Sequence, residues 1–215
     1  MAKSDQQQSE FVQESKHATV FLVEDDDAMR RSLEQMLADA GLTVESFRDP
    51  QEFLECFEPC RVGCLVLDLR LPGMNGLELY EHVANRGWKL PFVIITGYGD
   101  VPLVIDAFRK GAIDFIEKPF RFQQLLDRVH QAIAQTLCEN RKETEEEVFT
   151  ARRDSLTPRE REFMDLLLTG LSTKRAAARL GISPKTAHIH RAKVLEKMEV
   201  GSVVQLVQLV SQPGR

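Results

Sequence analysis

Three short, almost wholly apolar runs, separated by longer mixed stretches, most strongly constrain how this chain can fold. They are TVFLV at residues 19–23, CLVL at 64–67 and FVII at 92–95. None alternates apolar with polar side chains, so each is typical of a parallel strand buried on both faces. Weaker runs at residues 42–47 and 112–116 bring the number of predicted strands to five.

Amphipathic stretches separate these runs. Apolar residues recur at helical spacing over residues 28–40, and Asp49 followed by Pro50 combines a cap with proline at the first helical position. Parallel neighbours need crossover connections, which helices supply. We therefore predict a doubly wound α/β domain with a five-stranded parallel sheet, in which functional groups collect beyond the carboxyl ends of the strands.

The segment from Leu156 onward has no strand signal. Four short helices are predicted: Thr157 and Ser172 cap the first two, Ser183 and Pro184 start the third, and Ser202 to Val210 form the fourth. Gly181 marks a tight turn between the second and third helices. Four short helices with such a turn are typical of a small all-α helix-turn-helix domain.

A charged stretch joins the two parts. After the fifth strand an apolar stripe predicts a closing helix, whereas ENRKETEEE at residues 139–147 has no stripe and is either a helical extension, which we favour, or disordered. The predicted division is a flexible tail at 1–17, the α/β domain at 18–137, a charged linker at 138–155 and the helix-turn-helix domain at 156–212.

Charge is distributed unequally along the chain. Residues 151–215 contain 12 Lys and Arg against 6 Asp and Glu, whereas residues 1–150 contain 16 against 27. This asymmetry favours a polyanionic partner for the C-terminal part, although a solvated basic surface would have the same composition. No apolar run approaches the roughly 18 residues of a membrane span, so we predict a cytoplasmic protein without a membrane partner.

Cysteine spacing raises the alternative of a metal or redox cluster. Cys56, Cys60 and Cys64 are four residues apart, but Pro59 breaks the helical register and no nearby histidine completes a zinc set. We expect these cysteines to serve in ordinary packing.

Acidic and cationic residues follow the predicted strands. Glu24 and Asp25 follow the first, Asp68 the third, Thr96 the fourth and Lys118 the fifth. Singly, each has a simpler explanation in a turn, a cap or packing. Together at one sheet edge, the carboxylates would suit Mg²⁺, and the lysine and the hydroxyl would suit phosphoryl transfer to Asp68.

Four segments carry a family resemblance: VFLVEDDDAMRRSL, CLVLDLRLPGMNGLEL, VIITGYGD and GAIDFIEKPF. They resemble the receiver domain of two-component response regulators, closely the FixJ branch, over residues 18–137. The resemblance implies a flavodoxin-like fold and phosphorylation of Asp68 by a sensor histidine kinase. It implies no enzyme activity beyond self-phosphorylation and dephosphorylation at Asp68.

The same resemblance implies a metal site and a switch. Mg²⁺, or Mn²⁺, would be held by Asp25, Asp68 and the backbone carbonyl of Arg70, with Glu24 acting through water. The family more often has Asp where this chain has Glu24, and the longer side chain would either contact the metal directly or crowd it. The residues implied in binding the phosphoryl group and in switching are Thr96, Lys118 and Phe115, whose ring would rotate inward.

LTPREREFMDLLLTGLSTKRAAARLGISPKTAHIHRAKVLEKM resembles the LuxR-type, or FixJ/NarL-type, helix-turn-helix. In its third helix, spacing assigns Ala187, His190, Val194 and Met198 to the core. The resemblance places His188, Ile189 and Ala192 at positions that read bases in promoter DNA. The side chains better placed for phosphates are Lys185, Thr186, Arg191 and Lys193.

Phosphorylation of Asp68 is then expected to alter the face formed by the fifth strand and the helix before it. Homodimer formation or release of a blocked DNA-binding domain would follow, with RNA polymerase as a further partner. Two rivals stay open here. A haloacid-dehalogenase-like phosphatase would carry its nucleophile after the first strand, and a ligand-sensing LuxR-type regulator would not need Asp68, Thr96 and Lys118 together.

Overall fold

The computed structural model describes residues 18–58, 61–97, 105, 107 and 109–211. The predicted tail at residues 1–17 lies outside these ranges. The chain divides after Glu139 into two compact units.

The first unit is built on a five-stranded sheet with the order β2-β1-β3-β4-β5, in which every pair of neighbours is parallel. The three strands with the strongest apolar runs, β1, β3 and β4, are buried along their whole length. The predicted doubly wound parallel fold is therefore confirmed. The strands are β1 (Thr19–Val23), β2 (Thr43–Phe47), β3 (Gly63–Asp68), β4 (Phe92–Thr96) and β5 (Asp114–Glu117).

Helices cover both faces of the sheet. On one face, α1 (Asp27–Asp39) and the start of α4 (Phe122–Asp154) enclose a core that includes Leu37 and Val129. On the other, α2 (Pro50–Cys56) and α3 (Gly76–Asn85) enclose a second core. Residues 105, 107 and 109, between β4 and β5, are also helical.

The connection between the two units is helical. Helix α4 runs without interruption from Phe122 through Asp154 and therefore includes most of the stretch predicted as a linker. Its buried residues lie between Leu125 and Leu137, in the core of the first unit. The predicted boundaries at residues 137 and 155 stay predictions, because one helix spans the first and ends beside the second.

Four helices follow: α5 (Pro158–Leu168), α6 (Thr173–Leu180), α7 (Pro184–Lys197) and α8 (Val203–Val210). Each begins directly after a cap residue, whose side-chain oxygen accepts a hydrogen bond from the backbone N–H three residues on. Gly181 ends α6 in the left-handed conformation, at φ +65°. Val194 of α7 and Met198, the residue directly after that helix, pack with Leu206 of α8 in the core of this unit.

Within the described ranges, no helix is both long enough and apolar enough to cross a membrane.

Candidate functional site

One lysine joins two carboxylates at the carboxyl edge of the sheet. Glu24 follows β1, Asp68 ends β3 and Lys118 follows β5. The Lys118 Nζ lies 2.7 Å from Glu24 Oε2 and 2.6 Å from Asp68 Oδ2. Glu24 and Asp68 are only 1% and 7% exposed, so water screens these ion pairs weakly. The structure thus brings together three of the predicted site residues.

Burial and pairing act in opposite directions on the charges of this cluster. Burial raises the pKa of Glu24, and the hydrogen bond from Lys118 offsets this only in part. For Lys118, burial alone would lower the pKa, but the hydrogen bonds to Asp68 and Glu24 outweigh burial and raise it. The ammonium therefore stays charged at neutral pH, beside the carboxylate that is predicted to accept phosphate.

Three carboxylates could share a metal ion. Glu24, Asp25 and Asp68 each offer an oxygen, and these oxygens lie within 4.8 Å of one another. Oxygen donors in such a group are the ligands that Mg²⁺ prefers. The backbone N–H of Arg70 donates to Asp68 Oδ1 at 2.9 Å, which holds residue 70 beside the same carboxylate. The donor set fits the ion, and two of its members, Glu24 and Asp68, are already bound by Lys118.

The acidic run after β1 divides into two pairs with different tasks. Asp26 caps α1, and hydrogen bonds from the backbone N–H groups of Met29 and Ala28 lower its pKa. Asp27 pairs with Arg30, whose guanidinium also donates to the Glu24 carbonyl at 2.8 Å. Only Glu24 and Asp25 therefore face the cluster. Sequence reasoning missed Arg30, although its spacing from Asp27 is that of neighbours on a helix.

Thr96 and Phe115 lie on neighbouring strands and differ in burial and in their contacts. Thr96 is wholly buried at the end of β4, and its carbonyl accepts a 2.7 Å hydrogen bond from the Lys118 backbone N–H. The peptide bond from Lys118 to Pro119 is cis. Phe115 is half-buried on β5 and packs against the core on the α2 and α3 side of the sheet.

In the second unit, α7 has the predicted inner and outer faces. Ala187, Val194 and Met198 are buried, and His190 is half-buried with its ring centroid 6.1 Å from that of Phe163. The exposed residues of the helix include Lys185, His188, Ile189, Ala192 and Lys193.

The other two residues assigned to phosphates are less exposed to solvent than the two lysines. Thr186 is half-buried, and its hydroxyl shares a 2.8 Å hydrogen bond with that of Ser183. Arg191 is half-buried, and its buried Nε has no hydrogen-bond partner within the described part of the chain.

A buried ion pair fixes the end of α7. Glu160, expected only as the acid of a capping box, is 2% exposed and accepts a 2.7 Å hydrogen bond from Lys197 Nζ. Burial would raise its pKa, but the bonds from Lys197 and Thr157 lower it to about 2. Lys197 also donates to the Ser155 carbonyl at 2.9 Å. No local pattern links residues 37 positions apart, so the sequence held no signal for this pair.

The cysteines differ in environment. Cys64 is wholly buried in β3, where burial raises the pKa of its thiol to about 12, and packing accounts for it. Cys56 is exposed. Cys60 lies outside the described residues.

Comparison with known protein families assigns both units. A model described as "Response regulator receiver domain" matches residues 20–130, and one described as "Bacterial regulatory proteins, luxR family" matches residues 154–210. The chain belongs to the response regulators. The receiver domain implies a histidine kinase partner, and the LuxR-type domain implies DNA binding, so this response regulator controls transcription. The phosphatase and ligand-sensing alternatives are set aside, because the receiver match covers the sheet that they would have to occupy.

Relatives match more than nine tenths of this chain. The transcriptional regulatory protein FixJ of Bradyrhizobium diazoefficiens is 40% identical over 195 residues, which is 91% of this chain and 95% of FixJ. Nodulation protein W of the same organism is 40% identical over 202 residues, which is 93% of this chain and 88% of that protein.

Solved structures agree with the fold. The response regulator StyR has a TM-score of 0.83 at 38% identity, with 91% of this chain and 99% of StyR covered. Full-length FixJ from B. japonicum has a TM-score of 0.58 at 40% identity, with 90% and 95% covered.

Proposed function

We propose that this response regulator accepts a phosphoryl group on Asp68 from a sensor histidine kinase, and that this state controls the binding of promoter DNA by α7. The observation that carries the proposal is the Lys118 ammonium, which contacts Asp68 and Glu24 at once while Asp25 offers a third carboxylate oxygen within reach. A charged donor fixed beside a carboxylate suits phosphoryl transfer, which depends on positioning and charge neutralisation.

Asp68 is the nucleophile in this proposal. One of its carboxylate oxygens bonds to phosphorus while the bond from phosphorus to the donor breaks, which yields an aspartyl phosphate. Asp25, Asp68 and the carbonyl of Arg70 would hold Mg²⁺ or Mn²⁺, with Glu24 beside them. A bound divalent ion supplies positive charge that offsets the charge of the transferred group. Lys118 Nζ and the backbone N–H of Arg70 contact different oxygens of Asp68, and in this proposal Lys118 binds a phosphoryl oxygen.

The switch in this proposal uses Thr96 and Phe115. The Thr96 hydroxyl moves to bind the phosphoryl group, and the Phe115 ring fills the space behind it. Phe115 has no hydroxyl, so packing alone sets its position. Formation of a homodimer follows, and contact with RNA polymerase is a further step. The cytoplasmic location stays a prediction from the sequence.

Helix α7 is the proposed DNA-reading element. Its outer face is exposed at His188, Ile189 and Ala192, which we assign to base edges. Lys185 and Lys193, also exposed, are assigned to phosphates, which position the helix without reading sequence. Arg191 and Thr186 stay assigned to phosphates. The Nε of Arg191 has no hydrogen-bond partner among the described residues.

The decisive experiment incubates the full chain with a small phosphodonor and Mg²⁺ and weighs the intact protein by mass spectrometry. We expect one added phosphoryl group in the wild type and none in Asp68→Asn. Asp39→Asn is the matched control, because Asp39 is an exposed acid at the far end of α1 and should leave phosphorylation unchanged. Absence of the adduct at every Mg²⁺ concentration, or an adduct that persists in Asp68→Asn, would contradict the assignment.

A further inference from the structure

Arg30 holds the turn that joins β1 to α1. Its guanidinium donates a 2.8 Å hydrogen bond to the Glu24 carbonyl and pairs with the Asp27 carboxylate. The side chain of Arg30 is only 16% exposed, whereas that of Asp27 is 68% exposed. Because Glu24 is itself buried, its contact with Arg30 is the one shielded from water, where a hydrogen bond to a charged group is strongest.

The Glu24 carbonyl belongs to the peptide group that joins two of the predicted metal ligands. A peptide group is planar, so the bond from Arg30 fixes the plane from which the backbone of Asp25 continues. The Glu24 N–H donates to the Phe47 carbonyl at 3.1 Å, which fixes the preceding peptide as well. The backbone from Glu24 into Asp25 is therefore held by one contact from β2 and one from Arg30.

Asp25 depends on this backbone for its position. The Glu24 carboxylate has its own partners, since it accepts hydrogen bonds from Lys118 Nζ at 2.7 Å and from the Asp26 N–H at 3.4 Å. Asp25 is exposed, and in the described part of the chain its carboxylate accepts no hydrogen bond. Its oxygen nevertheless lies within 4.8 Å of oxygens of Glu24 and Asp68. The backbone, rather than a side-chain bond, places this carboxylate in the group.

We propose that Arg30 is a positioning residue for the divalent ion, because it fixes the peptide that directs Asp25 toward Asp68. The inference rests on the metal site of the proposed function and adds a residue outside the ligand set. Groups that orient metal ligands through hydrogen bonds change the metal affinity by about tenfold or more when they are removed.

The sign of the effect separates positioning from charge. Arg30 is positively charged, and Coulomb repulsion between this charge and a divalent ion weakens binding. If charge were its only influence, loss of the guanidinium would strengthen ion binding. Loss of a positioning contact weakens ion binding instead, because Asp25 then has to be ordered when the ion binds.

The test measures the binding of Mn²⁺ to the full chain without a phosphodonor, from the electron paramagnetic resonance signal of the free ion. Mg²⁺ is added as a competitor to show that both ions use one site. We expect Arg30→Met to bind Mn²⁺ about tenfold more weakly than the wild type. Methionine is unbranched and favours helices as arginine does, and urea unfolding verifies that the variant is folded.

Two further variants assign the effect. Arg30→Lys restores the charge and one donor, but an ammonium lacks the fork that reaches the Glu24 carbonyl and Asp27 together. Its affinity should lie between those of Arg30→Met and the wild type, whereas charge alone would make it no tighter than Arg30→Met. Arg31→Met is the matched control, because Arg31 is exposed and donates to the Asp27 carbonyl instead. It loses an equal charge and should bind Mn²⁺ at least as tightly as the wild type.

The outcomes distinguish the inference from the proposed function. Binding by Arg30→Met that equals or exceeds that of the wild type would overturn the inference, as would an equal loss in Arg31→Met. If Arg30→Met does not fold, Arg30→Lys replaces it under the same criterion. Phosphorylation of Asp68 would stand in each of these cases. Absence of Mn²⁺ binding by the wild type would overturn the metal site and the inference together.

Discussion

The ammonium of Lys118 lies 2.6 Å from Asp68 Oδ2, although 50 positions separate the two residues in the chain. The same ammonium contacts Glu24, so one cation pairs with two carboxylates that are almost completely buried. The proposed phosphoacceptor is thus held in place by the group that is expected to bind the phosphoryl oxygens.

Removal of Lys118 should therefore cost stability. Lys118→Ala is expected to lower the free energy of unfolding of the receiver by about 2 kcal/mol without Mg²⁺, because two buried carboxylates lose their charge-assisted hydrogen bonds. Added Mg²⁺ should recover part of the loss, since a divalent ion neutralises the same groups. Urea unfolding with and without Mg²⁺ measures both effects. Lys142→Ala, an exposed lysine on α4, is the control, and a Lys118→Ala midpoint equal to that of the control in both conditions would refute the role.

Gly76 controls how closely α3 approaches the phosphoacceptor. A Cβ at this position would lie 2.2 Å from Leu67 Cδ1 and 2.4 Å from the Asp68 carbonyl oxygen. Gly76→Ala should therefore lower the free energy of unfolding by about 2 kcal/mol, as overpacked cores do. Gly97→Ala is the comparison at the same edge of the sheet, because a Cβ there would meet no atom of the described residues within 4 Å. Chemical denaturation should show a lower free energy of unfolding for Gly76→Ala than for Gly97→Ala. Equal stability of the two variants would contradict the steric argument.

The Glu160–Lys197 pair should make the second unit sensitive to acid. The pKa of Glu160 is lowered from 4.5 to about 2, so its contribution to stability is complete above pH 4.5 and is lost as the pH falls toward 2. Glu160→Gln should cost about 2 kcal/mol near neutral pH, because a buried charged hydrogen bond is lost. The difference from wild type should shrink between pH 4.5 and 2.

Amide hydrogen exchange of peptides from residues 156–211, corrected for intrinsic rates, locates this effect in the second unit. Glu162→Gln is the control on the same helix, since Glu162 pairs with Arg159 at an exposed site. A gap between Glu160→Gln and wild type that stays constant with pH would argue against the lowered pKa as its cause.

Lys193 is expected to contact a phosphate rather than a base. Lys193→Ala should weaken binding to all duplexes alike and reduce the slope of log affinity against log salt by about 1. Affinity measured on selected and unrelated duplexes over a series of salt concentrations tests both effects, with Lys142→Ala as the control. An unchanged slope, or a loss confined to selected sites, would reassign Lys193.

Much of the fold was predictable from short-range signals. Thr157 and Ser183 predict helices because each side chain accepts a hydrogen bond from a backbone N–H only three residues later in the chain. Both helices begin directly after these residues. The buried runs of β1, β3 and β4 predict a parallel sheet because they lack alternation, and the sheet is parallel. The grouping of Glu24, Asp68 and Lys118 was predictable as well, since the carboxyl ends of parallel strands share an edge.

The sequence by itself determined where the helices after Leu156 begin, which segments are buried, and which edge of the sheet collects charged groups, because those properties depend on residues a few positions apart. The fifth strand begins at Asp114, two residues after the start of the predicted run at 112–116. Only the tertiary structure decided that Lys118 bonds to Glu24 and Asp68 together and that Glu160 is buried against Lys197. Such pairings depend on how strands are ordered and helices are packed, and atoms within hydrogen-bond range of each other can come from any distance along the chain.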